Sequence, residues 1–187
     1  PFSLPGAVPF REMLAQGASA RFEPVKVASD DIAFLQYTGG TTGVSKGAML
    51  THRNLLANAR QAEVWSDPFI DPDDDFILVT AIPLYHIFAL GSAVSHIARG
   101  GINVLVADPR NTAAFVKILA KYRFVTLPAV NTLFNSLIHH ADFARVDFSK
   151  LRFAIGGGAA VQKAVAERWQ QITGVPLCEG YGLTECS

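Results

Sequence analysis

Residues 151–178, LRFAIGGGAAVQKAVAERWQQITGVPLC, contain a strand, a glycine turn, a helix and a second strand in succession. The apolar runs Arg152–Ile155 and Val175–Cys178 predict short strands that are covered on both faces. Between them, apolar residues recur on one helical stripe, at Val161, Val165, Trp169 and Ile172. This strand–helix–strand order predicts a parallel sheet with helices packed on it.

The same alternation extends over most of the chain. Further strands are predicted at Ile32–Tyr37, Phe76–Ile82, Ile102–Val106 and Phe124–Leu127. Thr51 is a candidate N-cap for a helix that runs to about Trp65, and Asn111 or Thr112 for another. We therefore expect an α/β fold, a mostly parallel sheet with helices on both faces. In such sheets ligands bind beyond the carboxyl ends of the strands, so the glycine-rich strand ends are expected on one edge.

The chain of 187 residues is long enough for one domain of ordinary size. Residues 1–30 contain several prolines and are predicted to be a loop-rich lead-in, with one short helix over Pro9–Gln16 that Gly17 stops. Residues 31–187 are the region of alternating strands and helices. Because the chain starts at Pro1 and ends directly after a glycine-rich motif, we expect one incomplete domain from a longer protein.

The composition excludes several classes of protein. Half of the residues are hydrophobic and 17% are charged, which excludes intrinsic disorder. Sixteen basic and sixteen acidic residues balance, and this disfavours a nucleic-acid binder. The two cysteines, Cys178 and Cys186, are too few for a disulfide framework and fit a reducing, cytoplasmic setting. No apolar run approaches the length of a membrane-spanning helix.

The stretch YTGGTTGVSKG at residues 37–47 is the strongest chemical motif, and it is expected between a strand and a helix. Its glycines let successive backbone N–H groups face one point, which suits an anion. Hydroxyl groups and Lys46 add donors and a positive charge, so the stretch predicts a polyphosphate site. The Walker A pattern fails, because Ser45 stands where that pattern requires glycine. The nucleophile-elbow pattern matches at Gly43–Gly47, and a serine hydrolase therefore stays open as the alternative.

Three further motifs are weaker when each is taken alone. They are PLYHIF at 83–88, AIGGGAAV at 154–161 and EGYGLTE at 179–185. The glycines of the second would allow a flat group close to the backbone, and the third offers a carboxylate and a hydroxyl beside an aromatic ring. A lone histidine among apolar residues is usually structural. The other histidines are expected at the surface or as helix caps: His52, His96, His139 and His140.

In this order and spacing, the motifs resemble those of the adenylate-forming (AMP-binding) superfamily, and most closely its long-chain fatty-acid–CoA ligases. The resemblance rests on YTGGTTG at 37–43, PLYH at 83–86, GGGAA at 156–160 and GYGLTE at 180–185. It covers about Asp31 to Ser187. It implies ATP-dependent activation of a fatty acid to acyl-AMP, followed by transfer of the acyl group to coenzyme A. Amino-acid-activating domains and luciferase-like enzymes share these motifs, so another acid or acceptor stays open.

The resemblance also implies roles for individual residues. The loop that wraps the β- and γ-phosphates of ATP matches Thr38, Gly39, Gly40, Thr41, Thr42, Gly43 and Lys46. The turn that flanks adenine and the acyl channel matches Gly156, Gly157 and Gly158. Tyr181 matches the residue that stacks near adenine, Thr184 the hydroxyl at the α-phosphate, and Glu185 the Mg²⁺ ligand. His86 matches a residue near the acyl carboxylate. Lys46, His86, Thr184 and Glu185 are thus the implied catalytic residues.

Some features of the superfamily have no counterpart in these residues. They are the aspartate that binds ribose, the hinge, and the small C-terminal domain with its catalytic lysine. We therefore expect activity from a longer protein and not from residues 1–187 alone. The implied substrates are a fatty acid, ATP and coenzyme A, and no nucleic acid. Peripheral contact with the cytoplasmic membrane and homodimer formation are left open.

Overall fold

The computed structural model describes residues 5–38, 45–71 and 75–187. Its helices are α1 (Phe10–Ser19), α2 (His52–Ser66), α3 (Ile87–Ala98), α4 (Thr112–Lys121), α5 (Asn131–Ile138) and α6 (Lys163–Thr173). Its strands are β1 (Ile32–Thr38), β2 (Lys46–Thr51), β3 (Ile77–Thr80), β4 (Ile102–Leu105), β5 (Thr126–Ala129), β6 (Phe153–Gly156) and β7 (Leu177–Glu179). Single 3-10 turns occupy Asp67–Phe69, Phe143–Arg145 and Thr184–Cys186.

Five strands form one parallel sheet in the order β4-β3-β5-β6-β7. The predicted strands of this sheet are all present, with ends displaced by one or two residues. The predicted parallel α/β architecture is confirmed.

Helices cover both faces of the five-stranded sheet. Successive side chains of a strand point to opposite faces, and β5 shows the consequence. Leu127 is fully buried in the larger core, which also contains residues of α4, α5 and α6. Its neighbour Thr126 bonds instead to His96 of α3. Trp169 of α6 contributes most to the core by size, with its ring 4.8 Å from that of Phe134.

Strand β2 is the element that the sequence analysis missed. It pairs antiparallel with β1, and Thr38 lies opposite Lys46. The two strands form a sheet of their own. The glycine-rich stretch therefore joins the two strands of a hairpin, and the prediction that it runs directly into a helix was wrong. The prediction that all glycine-rich strand ends share one sheet edge holds for β6 and β7 but not for β1.

Local signals placed several helix ends correctly. Thr51 caps α2 by a reciprocal pair of hydrogen bonds with Asn54, and Asn111 caps α4 through the N–H of Ala114 (3.1 Å). The first helix, in contrast, continues through Gly17 to Ser19, so the predicted stop was wrong. Glycine inside a helix costs about 1 kcal/mol relative to alanine, which neighbouring helix formers can offset. None of the helices in the described ranges combines the length and the apolar character needed to cross a bilayer.

Candidate functional site

A cavity of about 630 Å³ lies against α2, α3 and the strands β5 and β6. It begins where β6 and β7 end and extends to the first residues of β5 and β6, Thr126 and Phe153. Seven of the predicted site residues line it: Thr38, His86, Gly157, Gly158, Tyr181, Thr184 and Glu185. The fold thus brings residues of four separate motifs to one cavity.

Other predicted site residues do not line this cavity or cannot be placed. Gly39, Gly40, Thr41, Thr42 and Gly43 lie outside the described residues. Lys46 is described and is exposed at the start of β2, next to the cavity-lining Thr38 in the hairpin. Gly156 is buried behind the cavity wall.

Side-chain hydrogen bonds join the two strands of the hairpin near Thr38, and another joins the hairpin to the motif at residues 83–88. The hydroxyl of Thr38 donates to the Lys46 carbonyl (3.3 Å), and that of Ser45 donates to the Thr38 carbonyl (3.1 Å). Gln36, which is 9% exposed, donates its side-chain amide to the carbonyl of Tyr85. The register places Thr38 and Lys46 side by side, at the end of the hairpin where the glycines follow.

This geometry bears on the hydrolase alternative. A nucleophile elbow needs its serine on a tight turn between a strand and a helix. Ser45 is instead followed directly by strand β2, and its hydroxyl is bonded to a backbone carbonyl within the hairpin. The structural context that the elbow requires is therefore absent around Ser45.

His86 is the N-cap of α3 at the mouth of the cavity. Its Nδ1 accepts the backbone N–H of Phe88 (3.2 Å). In the neutral imidazole, one nitrogen accepts and the other carries the proton, so the proton is assigned to Nε2. This histidine combines the structural role of a cap with a donor that is available to a negatively charged ligand at the mouth.

The glycine turn after β6 is fixed by close packing. A Cβ on Gly156 would lie 2.4 Å from Cγ2 of Val161, and one on Gly157 would lie 2.9 Å from Cε1 of Phe88. Gly158 has a φ of +78°, a region that side chains disfavour. Glycine is therefore needed at these positions partly because side chains of the protein itself pack against the backbone there. One of those side chains, Phe88, also lines the cavity.

Strand β7 holds that turn in place. The carboxylate of Glu179 accepts the N–H of Val161 (3.1 Å), and the N–H of Gly180 donates to the carbonyl of Gly156 (2.7 Å). Beyond Gly180 the chain passes along the cavity mouth. Tyr181 is 92% exposed there, so one face of its ring is free to stack on a planar ligand.

Among the residues that the structure describes, the cavity is lined by one carboxylate for a metal ion, that of Glu185. No group of three or more histidine, cysteine, aspartate or glutamate side chains occurs in the part of the chain that the structure describes. A single carboxylate is nonetheless what Mg²⁺ requires when substrate phosphates and water supply its other ligands. Glu185 therefore fits Mg²⁺ brought with a nucleotide, and not a cation held by protein alone.

His96 is a cavity residue that was expected at the surface from the sequence. It is 5% exposed and lines the far part of the cavity. Its ring stacks on Phe76, with the centroids 4.0 Å apart. Burial lowers the pKa of His96 to about 4, so the ring is neutral near pH 7. One feature of the sequence could have indicated this position. His96 follows Phe88 and Ser92 at intervals of four residues, which puts all three on the same face of α3.

Comparisons with known proteins identify a family and a set of relatives for this chain. A model of the family described as AMP-binding enzyme matches residues 4–187. A long-chain-fatty-acid–CoA ligase of Salmonella typhimurium is 50% identical over all of this chain and 33% of its own length. That of Haemophilus influenzae is 47% identical, again over all of this chain and over 34% of its own. The chain thus spans about a third of the length of the curated relatives it matches.

Solved structures of other proteins share the fold of this chain. The inhibitor-bound N-terminal domain of FACL13 from Mycobacterium tuberculosis superimposes with a TM-score of 0.80 at 26% identity, over 94% of this chain and 44% of its own. The O-succinylbenzoate coenzyme A synthetase of Bacillus subtilis, solved with AMP, gives 0.73 at 26% identity, over 86% of this chain and 32% of its own.

Proposed function

The chain belongs to the AMP-binding enzyme family, and from this premise we propose that it is the nucleotide- and acyl-binding part of a long-chain fatty-acid–CoA ligase. The observation that supports this most is that residues of four motifs line one cavity. Its mouth is formed by the phosphate-loop strand, the His86 cap and the Tyr181–Glu185 segment, and its interior runs between two helices and the sheet. A polar mouth suits a carboxylate and a nucleotide, and a deep interior suits an acyl chain.

The proposed reaction has two steps. An oxygen of the fatty carboxylate forms a bond to the α-phosphorus of ATP, and the bond from that phosphorus to pyrophosphate breaks. The thiol of coenzyme A then gives up its proton to the solvent and its sulfur forms a bond to the acyl carbon, while the bond from that carbon to the phosphate oxygen breaks and AMP leaves. Phosphoryl-centre chemistry of this kind depends on positioning and on electrostatic stabilisation, and it needs no protein nucleophile.

The residues at the mouth have distinct proposed roles in the first step. Lys46 stabilises the charge on the departing phosphates together with the loop of residues 39–43. His86 holds the carboxylate through the proton on Nε2, and Thr184 donates to the α-phosphate. Tyr181 stacks on adenine. Glu185 would hold Mg²⁺, which neutralises phosphate charge when it is bound.

Several finer points remain proposals. Cys178 and Cys186 are exposed and free, which supports a reducing cytoplasm. We also propose that the chain consists of a lead-in, residues 1–30, and a core, residues 31–187. Peripheral membrane contact and homodimer formation stay predictions.

The test is ATP–pyrophosphate exchange by the full-length protein with a panel of carboxylic acids. We expect exchange that depends on long-chain fatty acids, and thioester formation when coenzyme A is added. Exchange that depends on an amino acid would favour an amino-acid-activating enzyme of the same family. The absence of exchange with every acid would contradict the proposal.

A further inference from the structure

The interior of the cavity follows helix α3 over almost its whole length. Lining residues occur from Ile87, directly after the His86 cap, to His96 in the last turn. The opposite wall is formed by α2, with residues from Asn58 to Ser66. An acyl chain whose carboxylate is held at His86 would therefore extend along α3, away from the nucleotide.

The interior also contains polar side chains, and several of them are already paired within the protein. Ser92 donates to the Phe88 carbonyl (2.8 Å). His96 contacts the Ser92 carbonyl through Nδ1 (2.9 Å) and the Thr126 hydroxyl through Nε2 (3.2 Å). Because a carbonyl can accept but not donate, Nδ1 carries the proton and Nε2 accepts from Thr126. Ser66 is likewise bonded to neighbouring groups.

Two polar side chains of the interior differ from these. Ser95 on α3 is 8% exposed, Asn58 on α2 is half-buried, and both line the cavity. Neither has a hydrogen-bond partner within the described ranges 5–38, 45–71 and 75–187. Their polar atoms face the open cavity and are not bonded to other groups of the described residues, so a ligand that forms hydrogen bonds with them is favoured over a ligand that displaces water without forming any.

Asn58 and Ser95 lie close enough together along the cavity to contact the same part of a bound ligand. The side-chain oxygen of Asn58 lies 3.6 Å from the position that a Cβ on Gly91 would occupy. Gly91 precedes Ser95 by one helical turn on the same face of α3. Asn58 offers an acceptor and two donor protons, and Ser95 offers one donor and one acceptor. A ligand hydroxyl, which both donates and accepts, matches this pair.

We infer that Ser95 and Asn58 are specificity-determining residues that select acyl chains bearing a hydroxyl group in the far part of the chain. This inference rests on the proposed function, because it takes the cavity as the acyl site. Ser95 lies nine residues beyond His86, or about 14 Å along the helix axis. A zig-zag of C–C bonds advances by roughly 1.3 Å per carbon. The selected hydroxyl is thus roughly ten carbons from the carboxylate.

The test compares ω-hydroxydecanoate with decanoate on the full-length protein, using calorimetric Kd values. The wild-type protein should bind the hydroxy acid more tightly by about fivefold, the ratio that one net hydrogen bond supplies. ω-Hydroxyhexanoate should show no such advantage over hexanoate, because its hydroxyl does not reach Ser95. Ser95→Ala, a change that favours the helix, should abolish the preference. Asn58→Leu should reduce it.

Ser92→Ala is the matched control, since Ser92 is on the same helix and in the same wall but its hydroxyl is already bonded. The preference ratio should survive in this variant. Equal binding of the two decanoates by the wild-type protein would overturn the inference, and so would an unchanged ratio in Ser95→Ala. Pyrophosphate exchange with each acid is measured in parallel. Absence of exchange with these acids and with longer fatty acids would contradict the proposed function, while the Kd ratio would still decide the inference.

Discussion

The carboxylate of Glu179 accepts the backbone N–H of Val161 across 3.1 Å. This bond joins the end of β7 to the turn that follows β6, its parallel neighbour in the sheet. Both segments then contribute to the cavity, through Gly157 and Gly158 on one side and Tyr181 on the other. The relative position of these two walls is therefore set by the backbone pairing of β6 with β7 and by one side chain that does not line the cavity.

Replacing Glu179 tests this dependence. Glu179→Ala should leave the N–H of Val161 without its partner, at a cost of about 1–3 kcal/mol in the free energy of unfolding. Glu179→Gln keeps an oxygen that can accept this hydrogen bond, so it should lower the free energy of unfolding by less than Glu179→Ala does. Urea denaturation measures both changes. Glu167→Ala is the control, since Glu167 forms an exposed ion pair with Lys163 (3.7 Å) and such pairs contribute little. Equal stability of the Glu179→Ala and Glu167→Ala variants would contradict the assignment.

The packing of Gly156 against Val161 gives a second prediction. Gly156→Ala places a methyl group 2.4 Å from Cγ2 of Val161, so it should destabilise the protein by about 1–3 kcal/mol through overpacking. Adding Val161→Ala should restore part of that loss, which a double-mutant cycle would reveal as coupling. Gly182→Ala serves as the control, because nothing lies within 4 Å of the added Cβ. Strictly additive effects would show that the predicted clash is absent.

A third prediction concerns Lys46. If its ammonium stabilises the departing phosphates, Lys46→Ala should slow fatty-acid-dependent pyrophosphate exchange about a hundredfold, which corresponds to about 3 kcal/mol. Thioester formation from supplied acyl-AMP should be affected less, because that step releases no pyrophosphate. Lys117→Ala, an exposed position on α4, controls for loss of surface charge. Equal losses in both half-reactions would argue against the phosphate role.

The low pKa of His96 predicts a loss of stability in acid. Burial lowers this pKa from 6.5 to about 4, so between these pH values the unfolded chain binds the proton that the folded protein does not. Stability contributed by this site is complete above pH 6.5 and falls as the pH decreases towards 4. Between these two limits, the contribution of His96 to the free energy of unfolding changes by about 3 kcal/mol.

The measurement is the urea midpoint as a function of pH between 4 and 7. His96→Leu should show a smaller slope than the wild-type protein over this interval. His139→Gln, which alters an exposed histidine bonded to a nearby carbonyl, should keep the wild-type slope. If the slopes of all three proteins coincide, His96 titrates normally and is not desolvated.

The sequence predicted those parts of the fold that depend on local pattern. The parallel strands were found because each is a short apolar run, and the caps Thr51 and Asn111 because a side-chain oxygen at a helix start is a local signal. Strand β2 was missed because Gly47 and Ala48 have low strand propensity. It forms because β1 offers it a partner along its whole length.

The candidate site was predictable to the extent that its residues lie in motifs. His86 and Glu185 were found in this way, and both line the cavity. His96 was missed because what distinguishes it is tertiary: the partner Thr126 is thirty residues away in the chain, and the stacking ring belongs to Phe76, which directly precedes β3. The unpaired state of Ser95 is likewise a property of packing, which no spacing reveals.

Helix α3 begins at the cavity mouth with the His86 cap and ends beside His96, at the far end of the same space. If the cavity holds the acyl chain as proposed, this one helix contacts the far end of that chain and also carries the imidazole at the mouth. The fit of the acid and the affinity for nucleotide are then linked in free energy, and linkage of this kind is reciprocal. A poorly fitting acid should weaken ATP binding by the same factor by which ATP weakens the binding of that acid.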